Sequence, residues 1–284
     1  MNSHTTMQGA VQRYLDERRR LGFALKSMGT ELMRFARFAD ARRHEGPLTL
    51  DLQLDWARKH VTKTSSVTAA RRLEIVRPFA AHYRQFEPAS EIPPPFILGS
   101  GHRRLAPHIF TDDEIATLLK ACACMAPQDG LRPWTYKTLF GLIAALGLRV
   151  SEALKLQITD LDLLGGKLTV RQTKFHKSRC LPMHSSVAQA LSDYLCVRQR
   201  LVSYPKDSTV FITRAGTALS RRAVHDAFVK LRNQLGWCAR GGHPVPRIHD
   251  LRHTMAVRRV QRWYDEGVSI EQAIFWLCTY MGHT

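Results

Sequence analysis

The chain has 284 residues, enough for two domains at the usual ~100–200 residues per hydrophobic core. Its hydrophobic fraction of 44% is ordinary for a folded globular protein, and no apolar run approaches the ~18 residues that a membrane-spanning helix needs. The charge is the unusual feature: 42 Lys and Arg against 24 Asp and Glu, a net +18, which argues for a polyanionic partner rather than an acidic or neutral one.

The N-terminal stretch MNSHTTMQGA lacks the apolar core of a secretion signal, so a cytoplasmic location is expected. Residues 6–90 read as helical. Leu32, Phe35, Ala36 and Ala39 recur at helical spacing, as do Leu50, Leu54, Ala57 and Val61, and Leu73, Val76, Ala80 and Tyr83 form a further stripe. Short helices with single apolar stripes predict a small bundle. Pro78 falls inside the last stripe and predicts a kink or a helix boundary there. The proline-, glycine- and arginine-rich segment EIPPPFILGSGHRRLAPH then reads as an exposed linker. It divides the chain into a helical domain over 1–92, a linker over 93–107 and a second domain over 108–284.

The second domain opens with a capping box, Thr111 with Glu114 three residues on, at the start of a helix. Residues 133–146 form an apolar helix with Gly147 at its C-cap, and Ser151 is placed to cap the next short helix. The run GGKLTVRQTKFHKSRCLPM alternates at Leu168 and Val170. It predicts a β-hairpin or a three-stranded sheet with its tip at Phe175 to Ser178. Helices follow near 185–202, 220–235, 250–265 and 270–281. The whole is mainly α with a small antiparallel β-sheet.

Positive charge is spread over both parts: residues 1–92 carry 16 basic and 10 acidic residues, residues 93–284 carry 26 and 14. That fits nucleic acid gripped by both domains better than a membrane surface, because no basic amphipathic segment dominates. The six cysteines (122, 124, 180, 196, 238, 278) fall in no paired pattern and read as thiols in a reducing compartment.

Two clusters carry the chemistry. In IHDLRHTMAV, His249 and His253 lie four apart, as in a zinc-binding HExxH helix, but Asp250 stands where that pattern needs Glu and no third ligand follows at a usual spacing. No metal or cofactor is expected. His249 and Arg252, three apart, share a helix face, and an imidazole beside a guanidinium suits a phosphate. In ALGLRVSEALKL, Arg149 sits at the junction of two helices, where a charge needs a partner. Glu152 either holds it in a salt bridge or orients it toward a phosphate.

The motifs GLRVSEALKL, TKFHKSRCLP, HDLRHTMA and YMGHT, in this order over roughly residues 106–284, resemble the tyrosine recombinase (phage integrase) family. The helical first domain resembles that family's core-binding domain, and the second its α+β catalytic domain. The resemblance implies that Arg149 and Arg252 stabilise a DNA phosphate. It implies that Lys174 protonates the leaving oxygen, with Lys177 the competing lysine, that His249 assists proton transfer, and that His283 donates a hydrogen bond to the phosphate. Glu152 supports the site. The partners implied are double-stranded DNA and further copies of the chain, as a tetramer on synapsed DNA, in site-specific integration or excision of a mobile element. Softer DNA contacts are expected from Lys63, Arg71, Arg72, Arg221 and Arg222.

The family nucleophile is a tyrosine roughly nine residues beyond the histidine that His283 matches, hence past Thr284; it would carry the covalent intermediate. Tyr280, before the motif, and Tyr264 are read as packing residues. The expectation is a fragment of a recombinase that lacks its nucleophile; the alternative is an inactive DNA-binding relative that occupies sites or regulates.

Overall fold

The computed structural model describes residues 6–59, 66–101, 105–171, 178–240 and 244–282. The chain divides into two compact units, residues 1–104 and 105–284. The segment after the first bundle therefore belongs with it. Gln53 donates from Nε2 to the Glu91 carbonyl at 2.9 Å, and the Gly101 amide donates to Glu74 at 3.1 Å.

The first unit holds helices α1 (Met7–Arg20), α2 (Lys26–Ala41), α3 (Leu50–Arg58) and α4 (Ser66–Tyr83). Its core is aromatic. Phe35, fully buried, meets Trp56 and Phe79 edge-on at centroid distances of 5.3 and 6.4 Å, a geometry that the ring quadrupoles favour. Thr6 and Thr49 accept hydrogen bonds from Gly9 and Leu52 and so cap α1 and α3. α4 runs through Pro78 without ending. Phe79 and Ala80, fully buried beside it, keep the helix packed where its own ladder lacks a donor.

The second unit holds α5 (Asp112–Ala123), α6 (Leu131–Leu146), the single-turn α7 (Val150–Ala153), strands β1 (Leu161–Asp162), β2 (Lys167–Val170) and β3 (Arg179–Pro182), and helices α8 (Ser185–Leu201), α9 (Arg221–Gln234), α10 (Ile248–Asp265) and α11 (Ile270–Met281). The strands form one antiparallel sheet in the order β1-β2-β3, with Val170 opposite Arg179 and Leu168 opposite Leu181. Leu168, Val170 and Leu181 point into the core, as the alternation requires. The predicted hairpin tip largely lies outside the described residues.

α6 is the centre of this unit, with Leu139, Phe140 and Ile143 fully buried. α5, α8 and α10 pack against it. The Thr111 capping box forms as the sequence predicts, Glu114 N to Thr111 Oγ1 at 3.1 Å and Thr111 N to Glu114 Oε2 at 2.9 Å. Ser151 does not cap α7. The N-cap is Arg149, whose backbone N–H donates to Glu152 Oε2 at 2.9 Å, so the carboxylate side chain does the work expected of the serine. No helix among the described residues is long and apolar enough to cross a membrane.

Candidate active site

Three chain segments distant in sequence meet in the second unit: the α6–α7 junction, the base of β3, and the pair of helices α10 and α11. At their meeting point Glu152, almost fully buried, receives four hydrogen bonds. Oε1 accepts from Arg149 Nη1 at 2.7 Å and from Arg179 Nη1 at 3.2 Å; Oε2 accepts from the Arg149 backbone N–H at 2.9 Å and from Arg179 Nη2 at 2.8 Å. A third guanidinium, Arg252, comes within 3.9 Å of Oε2. Burial pushes the Glu152 carboxyl up, but the hydrogen bonds from Arg179 and Arg149 outweigh it and hold the group below its ordinary value of 4.5.

Arg252 is the largest fully buried side chain among the described residues, only 2% exposed. Such a charge needs acceptors, and the fold supplies two helix ends. Arg252 Nη1 donates to the Gly147 carbonyl and Nη2 to the Met281 carbonyl, both at 2.5 Å. Arg149 Nη2 donates to the Gly282 carbonyl at 2.9 Å. These carbonyls sit at the C-termini of α6 and α11, where the last oxygens have no partner within the helix and the macrodipole is negative. Both helices end on a left-handed glycine, Gly147 at φ 64° and Gly282 at φ 65°. A Cβ on Gly147 would stand 2.2 Å from Met255 Cε, and one on Gly282 2.7 Å from Arg179 Nη1, so a side chain at either position would displace that neighbour as well as strain the left-handed backbone. Burial, then the neighbouring Arg149, push the Arg252 pKa down to about 10; it stays a cation at neutral pH.

α10 carries the next group. Asp250, fully buried, takes hydrogen bonds from Arg247 N (2.8 Å), Nε (3.2 Å) and Nη2 (2.8 Å) and so fixes the first turn of the helix. Thr254 ties the helix to the start of the domain by accepting from the Phe110 amide at 2.9 Å. The His249 ring, exposed on this helix, stands edge-to-face with His253 at 4.7 Å between centroids. Partial burial, then His253 and Arg252, push its pKa down to about 4, so its imidazole is neutral at pH 7.

The structure thus brings Arg149, Glu152 and Arg252 together, with His249 on the same helix as Arg252 and Gly282 at the edge of the cluster. Lys174, Lys177, His283 and Lys63 lie outside the described residues. Arg71 and Arg72 lie on α4 in the first unit; Arg72 Nη1 donates to the Lys59 carbonyl at 2.8 Å. Arg221 and Arg222 occupy the exposed first turn of α9, where Arg222 pairs with Asp226 at 3.1 Å. Arg179 is the residue that the sequence reasoning missed. It closes the TKFHKSR motif, yet its partner lies 27 positions away, and only the sheet brings the two together.

Residues 108–271 match the sequence profile described as the Phage integrase family. The chain belongs to that family. Among relatives of this integrase-family chain is a putative integrase/recombinase, y4rB, of Sinorhizobium fredii. It is 36% identical over 98% of this chain and 90% of its own length. The tyrosine recombinase XerC of Pseudomonas entomophila is 33% identical over 70% of this chain and 62% of its own. Of solved structures, the Tn1549 transposon integrase in complex with a circular intermediate DNA superposes with a TM-score of 0.69 at 18% identity, over 96% of this chain and 91% of that one. A lambda integrase tetramer bound to a Holliday junction gives 0.66 at 18% identity, over 98% and 77%. At that identity the likeness speaks for the fold. The family itself rests on the profile and on the sequence relatives.

Proposed function

We propose that this chain is the DNA-binding and phosphate-activating part of a site-specific tyrosine recombinase that integrates or excises a mobile element in the cytoplasm. The observation that carries the reading is the convergence of Arg149, Arg179 and Arg252 on the single carboxylate of Glu152. That leaves a local excess of positive charge in a chain of net +18. Cations fixed in advance where negative charge grows lower the barrier of phosphoryl transfer without reorganising during the reaction.

In the proposed reaction a tyrosine hydroxyl attacks a backbone phosphorus in line. A 3′-phosphotyrosine bond forms as the bond to the 5′ oxygen breaks. Arg149 and Arg252 stabilise the equatorial oxygens. Lys174 gives a proton to the departing 5′ oxygen, neutral His249 takes the proton of the attacking hydroxyl, and His283 donates a hydrogen bond to the phosphate. Because the phosphodiester energy is kept in the covalent link, the strand can be rejoined to a new partner without a nucleotide cofactor. We assign the attacking hydroxyl to a tyrosine following Thr284. Tyr280 packs against the hydrophobic core, and its burial raises its pKa in spite of Arg259, Arg179 and Arg252. The partner is double-stranded DNA, contacted by the first unit through Arg71 and Arg72 and by the second also through Arg221 and Arg222. The working assembly is a tetramer on two synapsed sites.

The test uses protein expressed from the complete coding frame and nicked duplexes built from the DNA flanking that frame. The expected result is a covalent adduct that survives denaturation, maps to a tyrosine after Thr284, and is lost in Arg149→Lys and Arg252→Lys. Duplex binding with no adduct from any flanking sequence would instead favour the non-catalytic, site-occupying reading.

A further inference from the structure

We infer that Arg179 is a positioning residue of the site: through Glu152 it fixes the guanidinium of Arg149, and it does not itself touch the phosphate. Its cleavage test rests on the proposed recombinase reading; its geometric core does not.

Glu152 and Arg149 are three residues apart at a helix start, and each is a flexible side chain. The Gly282 carbonyl holds one edge of the Arg149 guanidinium. The other edge rests on Glu152, whose contacts with Arg149 alone are local, and the anchor that the carboxylate receives from outside this turn is Arg179. It stands on β3, with its Cα paired to Val170 in the sheet, and its side chain is 12% exposed. Both of its Nη atoms are spent on Glu152, one on each oxygen, in the bidentate geometry that a guanidinium fork favours. Its Nε is buried and makes no hydrogen bond among the described residues. The Nη1–Nη2 edge of the fork is thereby turned to Glu152 and closed to a phosphate, and Gly282 lies beside Nη1. The two oxygens that it clamps are the same two that receive Arg149, one through the side chain and one through the backbone. The position of the sheet is thereby passed through one carboxylate to the α6–α7 junction. Arg252 is held mainly by the Gly147 and Met281 carbonyls, with Glu152 no nearer than 3.9 Å, so it should respond less and serves as the comparison.

The experiment follows guanidinium proton exchange by NMR in the 284-residue chain labelled with 15N-arginine, with resonances assigned through Arg149→Lys, Arg179→Lys and Arg252→Lys. In Arg179→Lys, and in the uncharged Arg179→Gln, exchange at the Arg149 Nη protons is expected to rise about tenfold or more, the restraint that one charge-assisted hydrogen bond supplies. Arg252 exchange should rise by much less than that of Arg149. Equal acceleration at both arginines would mean general loosening, and no acceleration at Arg149 would mean that Glu152 needs no outside anchor; either overturns the inference. In protein from the complete coding frame, single-turnover strand cleavage by Arg179→Lys should fall about a hundredfold, as expected for a misplaced reacting group. Its DNA dissociation constant and salt dependence should not change. A loss of about one from the slope of log affinity against log salt would mark a direct phosphate contact and refute the positioning role. If the unaltered protein forms no adduct, the recombinase reading fails while the exchange measurement still decides the role of Arg179.

Discussion

Replacing Glu152 by Gln keeps the shape of the side chain and removes its charge. Four hydrogen bonds reach the carboxylate, two on each oxygen. An amide can serve one pair only; on its nitrogen side it sets N–H against N–H. Losing two charge-assisted bonds at about 1.5–3 kcal/mol each gives about 3–6 kcal/mol. An independent route, breaking a buried ion pair from one side, gives about 3–5 kcal/mol, so the two agree near 4. For a folding unit of about 150–250 residues, at about 2–4 °C per kcal/mol, the midpoint should drop on the order of 8–16 °C. Calorimetry at pH 7 reads the shift, and urea unfolding at several pH values reads its origin. The Glu152 carboxyl is held below 4.5 in the folded state, so its stabilisation is complete above 4.5 and is lost as pH falls through the folded value. The gap between the unaltered chain and Glu152→Gln should therefore hold from pH 7 to pH 5 and close only below that. A gap under about 1 kcal/mol at pH 7, the worth of a surface ion pair, would refute the reasoning, as would a gap that closes between pH 7 and 5.

Gly282→Ala should cost about 1–2 kcal/mol for the left-handed backbone and also displace Arg179, whose Nη1 lies 2.7 Å from the new methyl position. Urea unfolding checks the first effect and the exchange rate of Arg149 the second. Arg252→Lys keeps the charge, but a single ammonium replaces the two-pronged grip on the Gly147 and Met281 carbonyls, so a buried acceptor is left unmet at about 1–3 kcal/mol, read by the urea midpoint. His249 should titrate well below 6.5 by proton NMR. Its folded pKa is lowered, so the unfolded chain binds the extra proton and acid between 6.5 and about 4 weakens the fold, only slightly because solvent reaches the exposed ring. A midpoint at or above 6.5 would show that neither burial nor its cationic neighbours act on it.

Much of the fold was written locally. The stripe of Leu32, Phe35, Ala36 and Ala39, the capping box of Thr111 and Glu114, and the glycine that ends α6 each depend on neighbours within a turn or two, and each formed as read. Local rules failed where a tertiary contact outbid them. Of the kink or boundary read at Pro78, the boundary did not form: α4 runs past it, with Phe79 and Ala80 fully buried beside it. Ser151 looked like a cap, but Glu152 took that role because it was already oriented by the guanidiniums around it.

The sequence alone singled out the residue types of the candidate site and their order along the chain, Arg149, Glu152, Arg252 and the Gly282-His283 pair, on a protein whose charge favours a polyanion. Only the tertiary structure decided what holds them. It made Glu152 the shared counter-ion rather than the private partner of Arg149, brought Arg179 to it across 27 positions, and set two helix C-termini against the buried Arg252. The reason is physical. Helical period and capping act between residues a few positions apart, whereas a buried charge is satisfied by whichever acceptors packing delivers, and sequence spacing carries no record of them.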